Sequence, residues 1–82
     1  MYLNLGSSAV VPTGEIVGIF DLDNASWAYK TREFLERAER EERAVWLTED
    51  LPRCFVLSRD GRVYFSQLSA GAVKGRAEAG MI

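Results

Sequence analysis

The 82-residue sequence predicts a single α+β domain spanning residues 1–82, and three observations carry that expectation. Short runs rich in valine, isoleucine and aromatic residues, punctuated by Gly6, Pro12 and Gly14, open the chain as strands do. One amphipathic stretch in the middle repeats its apolar residues at helical spacing. Two apolar runs on either side of Asp60-Gly61 mark a hairpin near the carboxy-terminal end. The expected architecture is a set of β-strands packed on one main amphipathic helix, with a C-terminal hairpin and a short tail helix.

In order, "YLNL", "SAVV" and "EIVGIFDL" have strand composition. Ile16, Val17, Ile19 and Phe20 form an almost continuous apolar run, which predicts a central strand covered on both faces. A helix follows, with Asn24 or Ser26 as its N-cap, because either side-chain oxygen accepts from the first-turn amides. Trp27, Phe34, Leu35 and Ala38 share one arc of that helix, its buried face. Tyr29 lies opposite them. "AVWL" reads as a strand and "TEDLP" as a loop stopped by Pro52. "CFVLS" and "RVYF" then pair across "RDG", where a tight turn calls for positive φ at its central residues. "SAGAVKGRAEAGMI" is rich in small residues, with a short helix expected before Gly80 and a mobile end from about residue 77.

The charge-dense segment "REFLERAEREER" poses the main functional question. Glu33 with Arg37, Glu36 with Arg40 and Glu39 with Arg43 each stand four apart, acid first, the order that supports a solvated helix by about 0.2–0.5 kcal/mol per pair. A helix that reads DNA needs unpaired donors facing base edges, and five carboxylates on the same turns repel phosphate. This stretch is therefore expected to be a wet face rather than a recognition helix. The charge is uneven: −3 over residues 1–25, 0 over 26–43 and +1 over 44–82, within a net −2. Residues 53–76 hold Arg53, Arg59, Arg62, Lys74 and Arg76 against Asp60 alone, a local +4 and the first place to look for contact with something acidic.

Catalytic chemistry finds little footing. The chain has no histidine, its one cysteine, Cys54, sits inside an apolar run where packing is the expected role, and Asp21 with Asp23 make a poor cation site on their own. No catalytic, metal or cofactor residues are assigned, and an enzyme is the least expected class. A domain of this size hides only about 60% of its unfolded surface, so without a disulfide or metal to support it, association with copies of itself is the expected remedy. "MYLNLGSSAVV" lacks the charge and cleavage pattern of a secretory signal, and no apolar run spans a bilayer, so a cytoplasmic location without membrane contact is expected.

Three segments, "YLNLGSSAVVPTGEIVGIFDL", "TREFLERAE" and "LPRCFVLSRDGRVYFSQLSAGAV", together resemble the bacterial extracellular matrix regulator family, the RemA and RemB group of small biofilm-gene regulators, and the RemB branch more than the other. The resemblance covers nearly the whole chain. It implies a homo-oligomeric, DNA-binding transcription regulator without a usual DNA-binding motif, assembled into a ring on which DNA wraps. In the RemA branch, an arginine before the central strand and an arginine pair before the next-to-last strand are associated with DNA contact. The matching positions here are Glu15, Leu51 and Pro52. Two readings follow: a DNA-binding regulator that uses Arg53, Arg59, Arg62, Lys74 and Arg76, or a scaffold that regulates through a protein partner.

Overall fold

The computed structural model describes residues 2–6, 9–22 and 29–79. Strands β1 (Tyr2–Asn4) and β2 (Val10–Pro12) form an antiparallel pair. A 3-10 turn over Thr13–Glu15 leads into β3 (Ile16–Asp21), followed by α1 (Tyr29–Arg40), β4 (Ala44–Trp46), β5 (Cys54–Ser58), β6 (Val63–Ser66) and α2 (Ala70–Ala79). The last four strands make one sheet in the order β3-β5-β6-β4, with β4 parallel to β6 and the other pairs antiparallel. The α+β fold is as the sequence predicts, and the tail helix reaches Ala79. The expected N-cap residues and Trp27 lie outside the described residues, as does the end of the chain beyond residue 79.

The pleat divides the core in two. Along β5, Cys54 and Val56 point to one side of the sheet, where they pack with Leu3, Leu5 and Val11 of the amino-terminal segment and with Ala70 and Val73 of α2. Phe55 points to the other side and joins Val63 and Phe65 beneath Leu35 and Ala38 of α1. Successive strand residues face opposite ways, so an unbroken apolar run such as "CFV" serves both cores at once. Ser66 ties the layers together: its buried hydroxyl donates to the Leu5 carbonyl at 2.8 Å and accepts from the Leu68 amide at 3.1 Å.

The central strand is β5, not β3. The expectation for residues 16–20 is corrected: β3 is an edge strand, with Val17 60% and Phe20 45% exposed. The register shifts between Ile16 and Gly18, so Val17 is an extra residue in a bulge. That bulge breaks the in-out alternation and makes a half-exposed strand look like a fully buried one.

Three local devices set the chain's corners. Gly6 (φ +96°) reverses the chain between β1 and β2, its amide bonded to Asn4 Oδ1 at 2.7 Å. In the β5–β6 hairpin, Gly61 has φ +89° but Asp60 does not enter the left-handed region. The Gly61 amide reaches the Ser58 carbonyl at 3.1 Å and the Ser58 amide reaches the Arg62 carbonyl at 3.0 Å. This is a three-residue loop ending in a left-handed glycine, rather than the two-residue turn the dipeptide suggests. At the end of α1, the Arg43 amide bonds the Ala38 carbonyl at 2.8 Å and the Glu42 amide bonds the Glu39 carbonyl at 3.1 Å. That is a Schellman cap, and Glu42 (φ 59°) occupies the position that usually holds glycine.

Candidate nucleic-acid interface

The five basic residues singled out from the sequence lie at three places. Arg53 immediately precedes β5 and is fixed by its backbone, its amide on the Ser66 carbonyl at 2.8 Å and its carbonyl accepting from Leu22 at 2.9 Å. Arg59 and Arg62 flank the hairpin at the other end of β5, with Arg59 about 20 Å from Arg53 at some 3.4 Å per residue. Lys74 and Arg76 are exposed on α2, and the Arg76 guanidinium donates to the Asn4 carbonyl at 3.2 Å. The fold brings Arg59 and Arg62 together and keeps Arg53 apart from them.

Acids stand closer to these bases than the sequence suggests. Asp60 approaches Arg62 Nε at 3.5 Å, with both side chains more than half exposed, an arrangement that contributes little net energy in water. A hydrogen bond from the Ser58 hydroxyl, with the Arg62 amide at 3.1 Å, holds the Asp60 carboxyl below its ordinary value. Across the sheet edge, the Arg59 amide donates to the Glu15 carbonyl at 2.7 Å, which sets acidic Glu15 beside the basic hairpin.

None of the three acid-first spacings of α1 closes an ion pair. Arg43 turns instead to Glu41 (Nη2 to Oε1 2.7 Å) and to the Gly61 carbonyl, with its guanidinium carbon 6.0 Å from the Phe34 ring centre. A guanidinium has several donors in a planar fork, so Arg43 satisfies a carboxylate and a hairpin carbonyl together, and thereby fastens the end of α1 to the β5–β6 turn.

On the α1 side of the sheet, Phe20, Phe55, Phe65 and Trp46 are register partners across β3, β5, β6 and β4. Their rings form one row, with centroid separations of 4.8 Å for Phe20–Phe55, 6.3 Å for Phe55–Phe65 and 4.1 Å for Trp46–Phe65. The inner two rings are buried, whereas Phe20 and Trp46, at the open edges, remain 45% and 50% exposed. Phe20 holds its place by lying over Gly18, where a Cβ would come within 2.8 Å of the ring. This row was missed in the sequence: the four residues are visible there, but their alignment depends on strand order and register.

No protein-family model matches the chain. It is 35% identical over 78 residues to extracellular matrix regulatory protein B of Bacillus subtilis (strain 168), an alignment that covers 95% of this chain and 91% of that protein. The chain belongs to the RemB-type extracellular matrix regulatory proteins. Within this RemB-type chain, Glu15 lies in the turn before β3, and Leu51 with Pro52 lie in the loop between β4 and β5. Leu51 is 89% exposed, the most open large apolar side chain among the described residues. Among those residues, no helix is long and apolar enough to cross a membrane.

Proposed function

We propose that this RemB-type chain is a self-associating cytoplasmic regulator of extracellular-matrix genes that holds DNA through basic side chains repeated around a homo-oligomer. The observation that carries the reading is the aromatic row open at both sheet edges. Edge strands with unpaired backbone and exposed aromatic rings are surfaces that proteins ordinarily protect. Here β3 and β4 offer such an edge at opposite ends of one sheet. Apposing the β3 edge of one copy to the β4 edge of the next is a head-to-tail contact, which makes a ring when the rotation closes.

Assembly also answers the scatter of positive charge. Arg59 with Arg62, Lys74 with Arg76, and Arg53 are each too few to hold a duplex from one copy. Repetition raises the effective concentration of every further contact, and affinity then grows with the number of phosphates neutralised. Such contacts position DNA without reading bases, so binding is expected to be weakly sequence-specific and steeply salt-dependent.

The test is a mobility shift on long DNA at two salt concentrations, with light scattering on the same samples. Arg59→Glu with Arg62→Glu abolishes the shift and leaves the oligomer's mass unchanged, whereas Val17→Glu with Phe20→Glu lowers the mass and the shift together. A wild-type protein that gives no shift at low salt ends the DNA reading. The scaffold reading then replaces it, favoured by the net charge of −2 and by Glu15 beside the hairpin.

A further inference from the structure

The groove on the β4 side of α1 is lined by none of Arg53, Arg59, Arg62, Lys74 and Arg76 and meets the β4 edge only at Trp46. It is lined by buried Leu35 and Phe65, by half-exposed Trp46 and partly buried Pro52, and by the open side chain of Leu51. Along the α1 wall run Arg32, Glu36 and Glu39, two helical turns of about 10 Å. The volume, about 280 Å³, falls just below the range of roughly 300–1,000 Å³ that accommodates small-molecule ligands. A space of this size and length suits one or two apolar side chains on successive turns of a helix laid beside α1, the helix-in-groove mode of recognition.

Charge narrows the occupant. Glu36 and Glu39 rise from the α1 wall, and Glu49 and Asp50 line an adjoining depression that shares Trp46. The bases lining the groove and its neighbouring depressions are Arg32 and Arg40, so four acids face two bases. Neither Glu36 nor Glu39 is closed by the arginine four residues on, which leaves both carboxylates available to an incoming cation. The loop that carries Glu49 and Asp50 is held by the Asp50 amide on Thr48 Oγ1 at 3.1 Å, so its acidic side chains are presented from a fixed turn.

We infer that this groove docks a short amphipathic helix of a partner protein, with apolar anchors at helical spacing entering over Leu51 and lysine or arginine residues meeting Glu36 and Glu39. This site goes beyond the DNA-binding reading, and neither depends on the other. It gives a RemB-type regulator a second surface through which a basic partner protein adds to, or competes with, its assembly.

The probe is a fluorescein-labelled leucine–lysine peptide of about 14 residues with leucines at i, i+3, i+4 and i+7, near the shortest length at which an isolated helix is tenable. A counterpart with glutamate in place of lysine is its control. Fluorescence anisotropy at physiological salt is expected to show the basic peptide binding wild-type protein at least about tenfold more tightly than the acidic one. Leu51→Asp, at a side chain 89% exposed and so harmless to folding, weakens the basic peptide about tenfold. Glu36→Lys with Glu39→Lys reverses the preference toward the acidic peptide, and Glu33→Lys, on α1 but outside the groove, leaves binding unchanged. Arg59→Glu with Arg62→Glu also retains peptide binding, which separates this site from the DNA test. The inference is overturned if Glu33→Lys weakens the peptide as much as the groove substitutions do, because attraction to an acidic protein then suffices. It is equally overturned if Leu51→Asp lowers the oligomer's mass in light scattering, because the groove then holds a second copy.

Discussion

Replacing Glu42 with glycine should stabilise the protein, and the size of the effect can be worked out from the cap of α1. Glu42 sits at φ 59° in a Schellman motif, where an L-residue brings its Cβ against the following carbonyl at a cost of about 1–2 kcal/mol. Glycine removes that cost but loses more backbone freedom on folding, an opposing term of about 0.5–1 kcal/mol. Glu42 also places a negative charge at the negative end of the helix dipole, a further penalty of about 0.3 kcal/mol for an exposed group. The balance is a gain of about 1 kcal/mol, which for a domain of this size raises Tm by roughly 4–8 °C. Urea unfolding followed by circular dichroism measures the stability difference, and a thermal scan gives the Tm. Glu42→Ala separates the causes, since it removes the charge and keeps the strain, so its gain should be only a few tenths of a kcal/mol. If Glu42→Ala stabilises as much as Glu42→Gly, charge rather than backbone strain dominates. If glycine destabilises, the left-handed cap is not what ends the helix.

Other perturbations test separate parts of the fold. Ser66→Ala leaves the Leu5 carbonyl without its buried donor and is expected to cost about 1–3 kcal/mol in chemical denaturation, with Ser66→Thr informative only if the extra methyl fits. Cys54→Ala loses a small, fully buried side chain, so stability should fall by about 1 kcal/mol while self-association and any binding persist; a folded variant that fails to bind would show the thiol does more than pack. Asp60, whose carboxyl is held below its ordinary value of 3.8 chiefly by the Ser58 hydroxyl, gives a pH-dependent test. Its stabilising contribution is fully present above the ordinary value and disappears as pH falls through the lower folded value. The stability difference between wild type and Asp60→Asn should therefore stay flat near neutrality and change only at the acid end, and a difference that varies between pH 6 and 8 would contradict this assignment.

Much of the fold was legible because period and punctuation survive in one dimension. Apolar runs and turn residues mark β5 and β6, Leu35 and Ala38 mark the buried stripe of α1, and Gly61 marks the hairpin even though its turn is longer than a dipeptide rule implies. What failed was whatever depends on a second strand or a distant atom. The edge position of β3 is hidden because the bulge at Val17 mimics the pattern of a buried strand. The pairing of Glu39 with Arg43 fails because the Gly61 carbonyl, 18 residues away in sequence, competes for the same guanidinium.

The candidate surfaces divide along the same line. Arg53, Arg59, Arg62, Lys74 and Arg76 are countable in the sequence, but their separation over three places appears only once β5 is seen to hold Arg53 and the hairpin at opposite ends. The aromatic row and the Leu51 groove leave even less trace, since Phe20, Trp46 and Leu51 each look like ordinary apolar residues until register and loop placement expose them. Separate basic clusters need repetition to grip a polyanion, and an aromatic row that ends in solvent at both edges offers a means of repetition. If β3-edge substitutions dissolve the oligomer and the DNA shift together while Leu51 and Glu36/Glu39 substitutions spare both, assembly and partner recognition are separate properties even though Trp46 borders both surfaces.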